Sequence, residues 1–427
     1  MVEDISRDRT SAVATLLAHG RAGQVSRREM LRRAAALGLS APMIAALIQS
    51  APAAAQGTPA AAPSGDPVKI GCPYNLTGGY ASIDNPARDG SVLAAEELSQ
   101  SGGILGRPVE LIVYDGKSDT TTITSITKKL VDEDQVVALV GLTDTSYMLA
   151  AGPVGQEAGI PFLDVAGTAP IITSIGDFVF MLPFGDNVQA AAGAEFAQEK
   201  GWKTCGLLLD EAMDYTKFLA KYFKDRFTDD EIQGEILSEL NYAMGDTDFS
   251  AQLTEMKNLD PQPDFLFISS NPGEIGTIIK QARDLGIELP ILGGDGYDTP
   301  LLVELAGPAA HDIYFTTHQG IYGDDPAAKA FNAAYETKYG NPPEAVFAAL
   351  GYDAIRLMAD AINRAGSLEG AAIRDALAAT SGFTGATGTI SYEPGVRIPS
   401  KSVALVEIVD LKPSLISIGV PRVIPPA

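Results

Sequence analysis

From residue 68 onward, the chain alternates between short runs rich in β-forming residues and longer stretches with the apolar spacing of helices. Strands that alternate with helices predict parallel sheets covered by helices on both faces. In the first series, predicted strands cover 68–73, 109–115, 136–140 and 161–165, and predicted helices cover 87–100, 120–133 and 148–158. The sequence therefore predicts an α/β fold that begins near Val68.

A second series of helices and strands starts after Asn187. Its predicted helices cover 188–200, 215–227, 249–258 and 274–285, and its strands cover 204–210, 235–242, 265–270, 291–294 and 313–317. Helical segments at 326–339, 345–365 and 368–379 follow, and strands at 388–392 and 402–409 close the chain. Because a single hydrophobic core stops growing near about 250–300 residues, this length predicts two cores.

We therefore expect two doubly wound, Rossmann-like α/β lobes joined by several chain crossings. The first lobe is predicted to contain 68–187 and 319–383, and the second 188–318 and 384–427. The two cysteines, Cys72 and Cys205, lie in apolar runs that read as the first strands of separate lobes. This placement favours two buried thiols, although an exported protein could also pair them in a disulfide.

The first 55 residues have the parts of an export signal. An arginine pair, Arg27 and Arg28, precedes a weakly apolar run at 34–51, and the small residues at 53–55 suit a signal peptidase. We expect 1–55 to be a twin-arginine-type signal peptide and 56–67, rich in Ala, Pro and Gly, to be a flexible linker. The predicted location is periplasmic or extracytoplasmic. The alternative is that 34–51 anchors the chain in a membrane, since about 18 apolar residues can span a bilayer.

The charge of the chain excludes several classes of partner. The full chain has a formal net charge of −23, and its first 55 residues hold seven arginines against four acids, so the remainder carries −26. Nucleic acids and anionic membrane surfaces repel such a chain. We therefore expect no nucleic-acid partner.

An ordered series of short motifs runs from Val68 to about Val420. It comprises Asn75-Leu-Thr-Gly-Gly79, Ala94-Ala-Glu-Glu97, Gly102-Gly-Ile-Leu-Gly106, Gly159-Ile-Pro161, Gly293-Gly-Asp-Gly296 and Thr387-Gly-Thr-Ile390. In order and spacing the series resembles the Leu/Ile/Val-type solute-binding proteins of ABC transporters, which are type I periplasmic binding proteins. The resemblance implies two lobes that close by a hinge over an amino acid or a related small polar compound, such as an amide or a urea-like molecule. It also implies a membrane permease as partner, and we expect a monomer without a cofactor.

The first lobe offers candidate ligand-binding residues at the carboxyl ends of its strands, where doubly wound folds bind ligands. The resemblance implies that the hydroxyl of Thr145 or Ser146 binds a ligand carboxylate. It also puts Thr168 on the ligand's ammonium or carboxylate and Gly167 at a backbone contact. Helix capping is the alternative for these hydroxyls. Tyr80 is a possible aromatic wall, as is Tyr147, and ordinary packing would explain both as well.

The second lobe offers Asp295, Tyr215 and Asn271. Asp295 lies between glycines after a predicted strand, where the family carries an acid that pairs with the ligand ammonium, and a carboxylate there can form a charge-assisted hydrogen bond. A turn Asp that bonds its own backbone is the alternative. Tyr215 occupies the position of an aromatic that closes over the ligand, or it simply packs at the start of a helix. Asn271 stands where the branched-chain binders use an aromatic, and Tyr297 is a further possible wall.

Catalytic and metal-binding motifs are absent from the sequence. It contains no Gly-x-Ser-x-Gly elbow, no His-x-x-x-His pair, no Cys/His ligand set for zinc and no phosphate-binding loop. We therefore predict a binding protein and not an enzyme, with no metal. The alternatives are a periplasmic sensor subunit, which would use the same pocket, and a hydrolase of amides or esters.

Overall fold

The computed structural model describes residues 62–427, so the predicted signal peptide and most of the predicted linker lie outside the described residues. The first lobe contains strands β1 (Val68–Tyr74), β2 (Val109–Asp115), β3 (Ala138–Gly141), β4 (Phe162–Asp164) and β5 (Val179–Met181). Helices α1 (Ala81–Gln100), α2 (Thr120–Asp132) and α3 (Thr145–Ala158) connect the first four. The strands form one parallel sheet in the order β2-β1-β3-β4-β5.

The second lobe is built on a seven-stranded sheet. It contains α4 (Asp186–Glu199), β6 (Thr204–Asp210), α5 (Asp214–Phe227), β7 (Glu235–Tyr242), α6 (Ser250–Lys257), β8 (Phe265–Ser269), α7 (Ile275–Asp284), β9 (Ile291–Gly293), α8 (Pro300–Ala306) and β10 (Ile313–His318), with β13 (Val403–Val409) and β14 (Lys412–Gly419) added at one edge. The order is β14-β13-β10-β9-β8-β6-β7, and only β13 and β14 run antiparallel to their neighbours. The predicted α/β fold with two parallel-sheet lobes is confirmed.

Three further helices return to the first lobe. They are α9 (Pro326–Tyr339), α10 (Phe347–Ala365) and α11 (Gly370–Ala378), and a small ladder of β11 (Phe383–Gly385) with β12 (Gly388–Ile390) follows them. Ile390 and Tyr392 pack in the core of the first lobe, and the Tyr392 hydroxyl donates to the carbonyl of Met181 at 2.8 Å. The last crossing into the second lobe therefore falls between Tyr392 and β13, later than the boundary at 384 that the sequence suggested.

Helices α1 and α10 approach each other so closely that both need glycine at the contact. A Cβ on Gly90 would lie 1.8 Å from the Ala348 carbonyl oxygen, and one on Gly351 would lie 1.9 Å from the Ala87 carbonyl oxygen. Because both obstacles are backbone atoms, no side-chain adjustment can make room for a methyl group. The two glycines thus fix how α10 returns onto the first lobe.

Both cysteines are buried free thiols, as predicted. Cys72 lies in the core of the first lobe and Cys205 in a core of the second. Burial raises the pKa of each thiol well above its ordinary value, so both stay protonated at neutral pH. None of the helices within residues 62–427 has the length and hydropathy of a membrane span.

Candidate functional site

The carboxyl ends of the strands in the two sheets face each other across a small cavity that both lobes line. The first lobe lines it with Tyr80, Ile83, Thr143, Asp144, Ala166, Thr168 and Phe347, and the second lobe with Tyr215, Asn271, Pro272, Asp295 and Gly296. Loops after β1, β3 and β4 supply most of the first wall, and loops after β8 and β9 most of the second. The cavity thus lies between the lobes at the strand ends, where doubly wound sheets bind ligands.

Five of the eight residues predicted from the sequence line this cavity. They are Tyr80 and Thr168 from the first lobe and Tyr215, Asn271 and Asp295 from the second. Thr145, Ser146 and Gly167 do not line it. That these residues contact a ligand stays a prediction.

Thr145 and Ser146 directly follow the cavity residue Asp144 but do not line the cavity themselves. The buried Thr145 hydroxyl accepts a hydrogen bond from the Ala169 amide at 3.2 Å and so fixes the loop that carries Thr168. Neither residue is the helix cap. Asp144 caps α3 by accepting from the Ser146 amide at 2.8 Å.

The Ser146 hydroxyl instead joins the two lobes. It accepts a hydrogen bond from the Asp214 amide of the second lobe at 2.9 Å and lies 3.3 Å from the Asp214 carboxylate. Gly167 has a packing role, because its amide donates to Asp164 at 3.1 Å and an added Cβ would lie 2.8 Å from that carboxylate. Both residues therefore support the wall from behind.

The other two tyrosines proposed as walls pack elsewhere. The Tyr147 hydroxyl donates to the Ser118 carbonyl at 3.0 Å, and its ring meets the Tyr80 ring edge to face at 5.1 Å. The Tyr297 hydroxyl donates to the Ile268 carbonyl at 2.7 Å within the second lobe's core. Tyr147 thus holds Tyr80 in place, and Tyr297 belongs to the core.

Gln189 of α4 links the two walls and was missed from the sequence. Its side-chain nitrogen lies 3.4 Å from the Thr168 hydroxyl and donates to Asp295 at 3.0 Å and to Asp186 at 2.8 Å. Its side-chain oxygen accepts from the Asp295 amide at 3.2 Å. The residue is fully buried just after the first crossing between lobes, so the hinge region and both walls share one hydrogen-bond network.

His318, which lies at the second crossing between the lobes, also approaches the Asp295 carboxylate. It is the last residue of β10, and its Nε2 lies 3.3 Å from the second oxygen of Asp295, although the two are not aligned for a hydrogen bond. Its ring stacks on Phe184, which precedes α4, with centroids 3.9 Å apart. Burial lowers the pKa of His318, so the imidazole is neutral near pH 7.

Tyr80 joins the walls at another place. Its hydroxyl lies 2.6 Å from the Asn271 side-chain oxygen across the cleft and 3.1 Å from the carboxylate of Asp144. The Asn271 amide in turn donates to Asp210 at 2.5 Å. This arrangement explains the departure at Asn271, because an aromatic ring there could neither accept from Tyr80 nor donate to Asp210.

Two carboxyl groups on this side of the first lobe are protonated more readily than usual. Burial raises the pKa of Asp144 to about 7, and it does the same to Asp84. Asp84 accepts from the Thr143 hydroxyl at 2.6 Å and so holds the loop after β3. Thr143 and Asp144 directly precede Thr145 and Ser146, the two hydroxyl residues that the sequence predicted in this loop.

Burial also raises the pKa of the Tyr215 hydroxyl, and the nearby carboxylate of Asp295 adds to the shift. The Tyr215 hydroxyl accepts from the Gly296 amide at 3.0 Å. An added Cβ on Gly294 would lie 2.7 Å from the same hydroxyl, so the glycines around Asp295 allow the tyrosine to approach.

The site contains no serine or threonine hydroxyl bonded to His318, and residues 62–427 contain no cluster of metal ligands.

Residues 67–412 match the periplasmic binding protein family. A leucine-, isoleucine-, valine-, threonine- and alanine-binding protein of Pseudomonas aeruginosa is 26% identical over 329 residues, which cover 77% of this chain and 86% of that protein. The leucine-binding protein LivK of Thermotoga maritima matches with a TM-score of 0.78 and 34% identity, covering 83% of this chain and 99% of that one. LivJ of Streptococcus pneumoniae, solved with isoleucine, matches with a TM-score of 0.77 and 32% identity, covering 84% and 100%.

This chain therefore belongs to the periplasmic binding protein family, in its Leu/Ile/Val-type branch. It is the solute-binding component of an ABC importer and not an enzyme, as the sequence predicted.

Proposed function

We propose that the protein binds an amino acid, or a related small polar compound such as an amide or a urea-like molecule, between its two lobes. The observation that carries this proposal is that Thr168 and Asp295 line one cavity from opposite lobes and share Gln189 as a partner. The Asp295 carboxylate would pair with the ligand ammonium, and the Thr168 hydroxyl would donate to the carboxylate. Tyr215 and Gly296 would close the second wall.

The hinge supplies the binding mechanism. The two lobes contact each other directly, as expected of a closed form. Tyr80 bonds to Asn271, and Ser146 bonds to Asp214. A ligand shifts the balance towards that form only if it makes contacts there that an open form lacks. Because Thr168 and Asp295 sit on different lobes, a ligand that bonds to both makes such contacts.

The relatives support an amino-acid ligand. One is named for binding leucine, isoleucine, valine, threonine and alanine, and a solved relative holds isoleucine. We propose further that the chain is exported by the twin-arginine-type signal in 1–55, acts as a monomer outside the cytoplasm and docks on a membrane permease. The arginine pair and the small residues at 53–55 support the export proposal.

Calorimetric titration of Asp295→Asn tests the proposed site. Alanine, threonine and leucine are titrated into the wild-type chain and the variant. Any amino acid that the wild type binds should bind the variant at least about 30-fold more weakly, since removing one partner of a buried charge pair costs ~2 kcal/mol or more. Asp230→Asn, on the exposed surface of the same lobe, is the control and should leave affinity unchanged. Unchanged affinity in Asp295→Asn would remove this carboxylate from the site.

A further inference from the structure

The Tyr80 side of the cavity has fewer hydrogen-bond donors than acceptors. The Tyr80 hydroxyl has one proton, yet it faces two acceptors, the Asn271 oxygen at 2.6 Å and the Asp144 carboxylate at 3.1 Å. The Asn271 side-chain nitrogen donates to Asp210, so it does not supply a proton to Tyr80 or Asp144. One acceptor at this place therefore needs a further proton, which either Asp144 itself, whose pKa burial raises to about 7, or a donor group of the ligand can supply.

The Asp295 side of the cavity has the same imbalance. The Gln189 nitrogen has two protons and three acceptors within 3.4 Å, on Asp186, Asp295 and Thr168. Asp186 lies outside the lining of the cavity, and burial raises its pKa well above the usual range, so this carboxyl group keeps a proton of its own. Asp295 is the carboxylate of this group that lines the cavity, so a ligand donor can bind on this side as well as on the Tyr80 side.

The charges around the cavity have one sign. Among residues 62–427, no lysine or arginine lines the cavity, whereas Asp144 and Asp295 line it from opposite lobes. The nearby His318 is neutral near pH 7 because burial lowers its pKa. A ligand with a single ammonium group would neutralise one of the two carboxylates and leave the other with protein donors alone.

We propose that the ligand carries a second cationic donor group, which Asp144, Tyr80 and Asn271 receive while Asp295 receives the α-ammonium group. The ligand class is then an amino acid with a positively charged side chain, in preference to an aliphatic one. This inference rests on the proposed function of the cleft. Ile83 and Phe347 line the same cavity and provide apolar surface for the methylene groups between the two charged ends.

Asp144 is held in a position suited to this role. One of its oxygens accepts from the Ser146 amide at the start of α3, which fixes the carboxylate, and the other faces Tyr80 at the cavity. A charge-assisted hydrogen bond from an ammonium or guanidinium group is stronger than the bond that the neutral Tyr80 hydroxyl supplies. The arriving cation would therefore take over one acceptor and leave the Tyr80 proton to Asn271.

Calorimetry with pairs of ligands that differ only at the side-chain end tests the proposal. Ornithine is compared with norvaline, and lysine with norleucine, on the full chain. At least one cationic member should bind about tenfold or more tightly than its aliphatic counterpart. In Asp144→Asn the ratio of the two affinities within each pair should fall to about one. Asp353→Asn, which alters a buried carboxylate of the first lobe outside the cavity, should keep the preference.

Asn271→Leu provides a second variant if Asp144→Asn does not fold. It replaces a polar wall by an apolar one of similar size and should shift the preference towards norvaline and norleucine. Equal affinity for both members of each pair in the wild type, with Asp295→Asn still impairing both, would overturn this inference and leave the proposed function standing. Absence of binding for every amino acid tested would instead overturn the proposed function.

Discussion

At the scale of single residues, the polar walls of the cleft depend on groups that do not line the cavity. Gln189 orients Asp295 and lies beside Thr168, and Thr145 fixes the backbone of the Thr168 loop. Asp84 does the same for the loop that carries Asp144. Ligand affinity should therefore depend on residues behind the walls almost as strongly as on the walls themselves.

Gln189→Leu tests this dependence. The substitution keeps the volume of the side chain. It removes the group that donates to the Asp295 carboxylate and the oxygen that accepts from the Asp295 amide, so ligand affinity should fall about tenfold. Titration calorimetry with the tightest ligand measures the effect. Gln198→Leu, near the end of the same helix and outside the cavity, should bind as the wild type does. Equal affinities in the two variants would show that Gln189 only fills space.

The buried carboxyl groups predict how stability depends on pH. Burial raises the pKa of Asp84, Asp144 and Asp298 to about 7, above the values expected in the unfolded chain. The folded state therefore holds protons that the unfolded state has released, and stability falls as pH rises through 7. His318 acts in the opposite direction only below its unfolded pKa of about 6.5. The melting temperature should be higher at pH 6.5 than at pH 8, and the reverse order would contradict the burial argument.

At the scale of elements, the contact between α1 and α10 determines how the last helices rejoin the first lobe. Gly90 and Gly351 allow the two backbones to touch, and α10 is buried on nearly all sides along most of its length. Close backbone approach of this kind tolerates no added methyl group. The integrity of the first lobe should therefore be sensitive to small substitutions here.

Gly90→Ala should lower the free energy of unfolding by about 1–3 kcal/mol, because the added Cβ meets the Ala348 carbonyl. Urea titration followed by circular dichroism measures the change. Gly193→Ala on α4 is the matched control. Its Cβ would meet no atom closer than 3.7 Å, so alanine should leave stability unchanged or raise it by up to ~1 kcal/mol. A Gly90→Ala variant as stable as the control would contradict the close contact.

Sequence patterns predicted most elements because alternating strands and helices leave a strong signal. Strands β6 and β7 and helix α9 have the predicted bounds. The predicted start of α1 at residue 87 was wrong, since the helix begins at Ala81 and carries Pro86 inside. The sequence missed two strands. Strand β5 is apolar and buried but has only three residues, too few for a pattern, and β14 is fully exposed at a sheet edge.

The sequence predicted five residues that line the cavity, but in one loop it missed the residue that faces the cavity. The sequence identified the loop after β3, but the turn into α3 places Asp144 at the cavity and Thr145 behind it. A shift of one residue at such a turn exchanges a cavity residue for a supporting one. Gln189 and His318 could not be found this way, because they come from the hinge and approach the site through tertiary contacts with Asp295.

At the scale of the whole molecule, the hinge and the ligand site share the same residues. Gln189 follows the first crossing and His318 ends the strand before the second, and both contact Asp295. A ligand that binds Asp295 and Thr168 therefore contacts both lobes, and through Asp295 it is linked to the residues at both crossings. Ligand binding and lobe closure should be one coupled event.

Small-angle X-ray scattering with and without a saturating ligand tests this coupling most directly. The account predicts that the radius of gyration of the wild-type chain decreases when ligand is added. Asp295→Asn should reach the same compact form only at a much higher ligand concentration. A radius of gyration that stays the same at full occupancy of the wild type would contradict closure of the two lobes around a ligand.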